Sequence, residues 1–157
     1  MYGFPEGSAE DASLLGIKGS ILCEMTRMGL PVPPGKLHSS ILKLLNIGFV
    51  VTTEACNEYM DSGRNFPPKL IKGIMKGVKD IEKKSKALFG GSLDDHSIPP
   101  LLLSVRSGAP VPMPGILDTV LNIGINDRVL ATLLNITNNP RYCYDTFRRF
   151  IQVNVFS

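Results

Sequence analysis

Two cations in this sequence have chemistry to offer, Lys18 and Arg106. Arg106 follows Leu101, Leu102, Leu103 and Val105, an apolar run broken by one serine and of the length of a buried strand. Behind it come Ser107-Gly108-Ala109 and a loop with Pro110, Pro112 and Pro114, ending at Gly115. A permanently charged guanidinium at a strand end, facing a stiff loop, suits a phosphate chain. Its planar fork donates two parallel hydrogen bonds to phosphate oxygens. Lys18 falls near the start of an expected helix, where the dipole disfavours a cation by roughly 0.3–1 kcal/mol. That placement makes sense if Lys18 and the first-turn N–H groups share an anion. The plain alternatives are a strand whose last residue reaches solvent and a lysine that points into water. Spacing leaves both open.

Other elements must hold these two residues in place. Met1 to Ser13 reads as a short extended lead-in. A helix enters through Leu14 to Gly19, carries Ile21, Leu22, Met25 and Met28, and closes at Gly29. Pro31, Pro33 and Pro34 make Gly29 to Gly35 a rigid connector. Lys36 to Gly48 holds Ile41, Leu42, Leu44, Leu45 and Ile47 with neither cap nor clear partner, and is expected to hang loose. Phe49 to Thr52 is a predicted strand. Thr53 caps a helix from Glu54 to Ser62, stopped by Gly63. Pro67-Pro68 opens a long lysine-bearing helix that runs out at Gly90-Gly91, and a polar loop from Asp94 to Pro100 leads into the Leu101 strand. Ile116, Leu117, Val120 and Leu121 then share one helical face, with Gly124 as the stop. Asp127 caps the next helix, which carries Val129, Leu130, Leu133 and Leu134. Asn139 caps the last helix and Pro140 opens it. That helix turns Cys143, Phe147, Phe150 and Ile151 inward, and Arg148 and Arg149 pair with Asp145 or Asp118. The fold class is α+β, helix-rich with a small sheet.

Composition narrows the function classes. A chain of 157 residues, 43% apolar and 20% charged, is one domain's worth of ordinary globular sequence. The seven lysines from Lys69 to Lys86 interleave with Leu70, Ile71, Ile74, Met75, Val78 and Ile81 at helical spacing. This reads as the solvated face of an amphipathic helix, so no nucleic-acid partner is expected. Cys23, Cys56 and Cys143 have no metal-ligand spacing and fit reduced core cysteines in a cytoplasmic compartment, an organelle not being excluded. His38 and His96 are the only histidines, and no metal site is expected within the chain. No apolar run reaches the ~18 residues of a membrane span.

Four long segments then carry a resemblance: LLGIKGSILCEMTRMGLPVPPG, FVVTTEACNEYMDSG, LLLSVRSGAPVPMPGILDTVLNIGIND and NNPRYCYDTFRRFIQ. In this order they resemble the start of the pyruvate, phosphate dikinase family, from Leu14 to Gln152 except for Lys36 to Gly48. The resemblance implies the N-terminal subdomain of an ATP-grasp-type nucleotide-binding domain, incomplete here. It occupies residues 1–152, with an atypical insertion at 36–48 and a non-matching tail at 153–157. The family transfers the β-phosphoryl of ATP to a histidine on a separate domain and the γ-phosphoryl to phosphate, and the phosphohistidine then converts pyruvate to phosphoenolpyruvate.

Residue by residue, the lysine of the family's GGKG motif falls on Lys18 and the arginine of its SVRSGA motif on Arg106; both imply ATP-phosphate contacts. The loop Met113, Pro114, Gly115, Ile116, Leu117, Asp118 and Thr119 would lie over the phosphates. ATP and Mg²⁺ are the implied cofactors. The metal ligands and the phosphohistidine are expected outside this chain, on the second ATP-grasp subdomain and the phosphohistidine domain; a pyruvate domain completes the partners. Ile17 departs from the family's second glycine and crowds a turn where backbone should approach the ligand. The expected function is a dikinase segment inactive by itself. The alternatives are a non-catalytic interaction module and a segment of a phosphoenolpyruvate synthase-like dikinase, whose loop is composed differently. Removing Lys36 to Gly48 joins GLPVPPG to FVVTTEAC in frame, which makes a translated intron one origin of the insertion.

Overall fold

The computed structural model describes residues 1–30, 47–92, 95, 97–107 and 119–156. They form two compact units, one within Met1–Lys84 and one comprising Ser85–Ser107 and the residues from Thr119 onward.

In the first unit, strand β1 (Tyr2–Gly3) pairs antiparallel with β2 (Phe49–Val50), Tyr2 opposite Val50 and Gly3 opposite Phe49. Past Gly3 the lead-in is wound rather than extended, with short 3-10 turns at Phe4–Glu6 and Ala9–Asp11. The reason is local. The Glu6 carboxylate accepts from the Gly3 N–H at 2.7 Å, and that of Asp11 accepts from the Ser8 N–H at 2.9 Å, so each turn is closed by its own acid.

Helix α1 (Ala12–Arg27) buries Leu15, Gly16, Gly19, Ser20 and Cys23. Ile21 and Met28 stand exposed instead of joining a core face. Small residues form the buried stripe because the helix sits close to β2: a Cβ on Gly19 would lie 3.0 Å from a Val50 methyl. Helix α2 (Thr53–Asp61) is capped one residue earlier than its sequence suggests. Thr52 accepts from the Ala55 N–H at 3.4 Å, while the Thr53 hydroxyl donates to the Ser13 carbonyl at 2.9 Å. Helix α3 (Pro68–Ser85) stops well short of Gly90, because Lys86 enters the left-handed region at φ 55°. Its inner stripe is Leu70, Ile74, Val78 and Ile81, whereas Ile71 and Met75 face out. Of the atypical insertion, residues 36–46 lie outside the described residues. Its end is packed, with the Gly48 carbonyl accepting from the Phe4 N–H at 3.2 Å.

The second unit begins with β3 (Leu88–Phe89), parallel to β4 (Pro100–Leu101), where a continuing helix was expected. Strand β5 (Leu103–Arg106) pairs antiparallel with β6 (Thr119–Ile123). The helix expected over Ile116 to Leu121 is therefore a strand through Thr119, Val120 and Leu121, and Ile116 and Leu117 lie outside the described residues. Thr119, Val120 and Ile123 are β-branched, and the neighbouring β5 offers them a ladder; tertiary pairing overrides a short helical spacing. A bulge lies between Leu103–Ile123 and Val105–Val120, and Asn122 absorbs the extra residue at φ 61°.

Helix α4 (Asp127–Thr137) is capped by Asn126 rather than Asp127. Its Oδ1 accepts from the Val129 N–H at 2.9 Å and its Nδ2 donates to the Gly90 carbonyl at 3.1 Å. Asn138 turns the chain at φ 52°. Helix α5 (Pro140–Phe156) starts as expected, with Asn139 Oδ1 accepting from the Tyr142 N–H at 3.1 Å. The core here is Ile125, Val129, Leu130, Thr132, Cys143 and Thr146; Ile151 is exposed rather than inward. The α+β class holds, helix-rich, with three two-stranded ladders among the described residues instead of one small sheet.

All three cysteines are free, but Cys56 is exposed and so is not a core residue, whereas Cys23 and Cys143 are fully buried. Burial also pushes the Cys23 thiol up, which suppresses its reactive thiolate. Brief treatment with iodoacetamide should therefore label Cys56 alone in the native protein and all three thiols in denaturant. Native labelling of Cys23 at the rate of Cys56, read by peptide mass, would contradict this packing.

Candidate phosphate-binding residues

Lys18 owes its position to one backbone break. Inside α1, Gly16 sits at φ 70°, ψ 159°, a conformation essentially reserved for glycine. The helix is interrupted there and starts afresh at Ile17, so Lys18 lies in a new first turn, with the dipole's positive end beside it. Gly16 takes the strained conformation, and Ile17 is not at positive φ. The isoleucine is accommodated half-buried, while Lys18 next to it is exposed. Among the described residues Lys18 forms no ion pair.

Arg106 ends β5 in the second unit, where Thr119 stands directly opposite as the first residue of β6. The fold thus brings together two of the residues singled out from the sequence. The proline-containing segment 108–118, which separates them in sequence, lies outside the described residues. Met113, Gly115 and Asp118 lie outside the described residues. Ser104, Val105 and Arg106 are all exposed, which departs from the buried strand that their apolar neighbours suggest. Arg106 has no carboxylate partner among the described residues.

Two other arginines are held in ion pairs. On α5, Arg148 reaches Asp145 at 2.9 Å and Arg149 reaches it at 2.7 Å. Hydrogen bonds from Arg148 and then Arg149 hold the Asp145 carboxyl below the usual carboxylate range. An open hollow of about 430 Å³ adjoins them, lined by Asn139, Arg141, Tyr142, Asp145 and Arg149. Sequence reasoning missed Asn126, which both caps α4 and ties it to Gly90; an Asn before an Asp at a helix start was the available signal. No group of three metal-binding side chains is present among the described residues. No helix among them is long and apolar enough to cross a membrane.

Comparison with known proteins bears on what these cations serve. No family model matches the chain. Curated sequences do. The chain is 42% identical over 153 residues to pyruvate, phosphate dikinase of Entamoeba histolytica, an alignment covering 98% of this chain. It is 42% identical over 153 residues to the Clostridium symbiosum protein of the same name. Its sequence relatives are pyruvate, phosphate dikinases. A chloroplastic pyruvate, phosphate dikinase of Flaveria pringlei is 44% identical over 151 residues. The resemblance carried by the four motifs is thereby borne out, and it extends into the lead-in before Leu14, which the motifs left aside. This chain spans about 15% of the length of the dikinases it matches.

Proposed function

We propose that this chain contributes part of an ATP-phosphate site to a pyruvate, phosphate dikinase, as the N-terminal subdomain of an ATP-grasp-type domain. Lys18 and Arg106 bind phosphate oxygens. The segment holding Met113, Gly115, Asp118 and Thr119 covers them. Arg106 carries the reading furthest: it is exposed, unpaired among the described residues, and set by strand pairing opposite Thr119. Lys18 supports it, since a cation in a first helix turn is favourable once an anion joins it. Phosphoryl transfer relies on fixed positive donors more than on covalent catalysis by the protein, and these two side chains are of that kind.

Mg²⁺ accompanies the nucleotide, with its acidic ligands on a second subdomain, and the phosphohistidine lies on another domain. These 157 residues therefore form no phosphoenolpyruvate by themselves. Incubating the purified chain with ATP, phosphate, Mg²⁺ and pyruvate should yield none above the protein-free blank, and any enzyme-dependent yield would overturn the assignment. Joined to the remaining dikinase domains, the wild-type segment should bind Mg²⁺-ATP, and Lys18→Ala should weaken that binding about tenfold, the effect of one charged hydrogen bond. Unchanged binding in that context would favour a non-catalytic interaction module.

A further inference from the structure

The break in α1 at Gly16 is held from both sides by one corner of the first unit, the stretch from Val50 to Thr53. On the far side of the break Gly19 lies against Val50, where an added Cβ would come within 3.0 Å of a methyl. On the near side the Thr53 hydroxyl donates to the Ser13 carbonyl at 2.9 Å. This second contact meets a local need. A break in a helix leaves the carbonyls of the turn before it without their usual donors four residues on. Ser13 lies in that turn, Ala12 to Leu15, and Thr53, 40 residues further along the chain, supplies a donor.

Thr53 can do so because it does not cap its own helix. Thr52 takes that role, buried and accepting from the Ala55 N–H. The Thr53 hydroxyl is thus left over from the capping of α2 and reaches across to α1. It does so at the point where α1 changes course. The conformation of Gly16, φ 70° and ψ 159°, is one that persists only where the surrounding structure over-determines it. A loose turn before the break would let Gly16 relax, and the first turn after it, which carries Lys18, would lose its direction.

We infer that Thr53 is a positioning residue for Lys18. Its hydroxyl fixes the Ser13 carbonyl, the fixed turn holds Gly16 at positive φ, and Gly16 sets the direction in which the new helix turn presents Lys18. Thr53 acts through these residues and makes no contact of its own with the nucleotide. The inference rests on the reading of Lys18 as a phosphate-binding residue and adds to it the group that keeps Lys18 in place before the nucleotide arrives. A side chain already in its bound position pays no ordering cost on binding, so loosening it lowers affinity.

Titration of Mg²⁺-ATP into a complete dikinase carrying this segment tests it, with far-ultraviolet circular dichroism as the folding control. Thr53→Val keeps the shape of the side chain and loses the hydroxyl. It should bind about three- to tenfold more weakly, the range of one neutral hydrogen bond. Thr53→Ala, with the same loss and no bulk in its place, should read alike. Thr53→Ser keeps the hydroxyl and should bind within about twofold of wild type. A residue that acts through Lys18 has no effect once Lys18 is gone, so Thr53→Val should add nothing to the loss in Lys18→Ala. A merely structural threonine would weaken both backgrounds equally. The inference is overturned by a folded Thr53→Val enzyme that binds like wild type, by a serine variant as weak as the valine one, or by an equal loss in the Lys18→Ala background. Unchanged binding by Lys18→Ala would instead remove the phosphate reading, and this inference with it.

Discussion

Arg106→Ala, made in a complete dikinase carrying this segment, should lower phosphoenolpyruvate formation by about two to three orders of magnitude, the usual cost of removing one charge-stabilising donor from a transition state. The expectation rests on the proposed contact between Arg106 and ATP phosphates. Arg106 is exposed and without a carboxylate partner among the described residues, so its removal leaves no buried charge stranded and folding should be undisturbed. Arg106→Lys keeps the charge and loses the planar fork, and should recover only part of the rate. Steady-state turnover with circular dichroism as a folding control measures both. A folded Arg106→Ala enzyme working within a few-fold of wild type would remove Arg106 from the phosphate site.

Gly124→Ala should be the most disruptive single-methyl change in the second unit. Gly124 links β6 to the turn before α4 at φ 104°, where an L side chain is strained. The added methyl would also lie 2.8 Å from the Phe89 ring and 3.1 Å from the Leu101 carbonyl oxygen. One contact is with a rigid ring and the other with backbone, so neither yields easily. Together the strain and overpacking should cost about 2–4 kcal/mol. Urea unfolding should show a lower midpoint at unchanged slope. A loss below about 0.5 kcal/mol would mean that the close approach of β3, β4 and β6 is not maintained in solution.

Both predictions rest on features of different legibility. The phosphate-binding candidates were readable from residue type, since Lys18 and Arg106 announce themselves by charge and by apolar or glycine-rich neighbours. The resemblance to the dikinases was readable too, because four ordered motifs specify far more than one glycine pattern. Helix ends were read to within a residue where a side chain caps its own helix. Asn139 was assigned correctly, whereas Thr52 and Asn126 displaced their neighbours Thr53 and Asp127. In both misses two polar residues adjoin, and the second one is drawn elsewhere or already helical.

The sequence by itself therefore determined the dikinase resemblance, the helix-rich α+β class, the Asn139 cap and the two candidate cations, because each is written in local chemistry. The tertiary structure alone decided that Thr119 to Ile123 is a strand, that Gly16 rather than Ile17 carries the turn before Lys18, and that Arg106 meets Thr119 across a ladder. A strand forms no hydrogen bonds within itself, so whether Val120 and Leu121 extend or coil depends on a partner some fifteen residues away. That dependence leaves no mark on the spacing of the strand's own side chains.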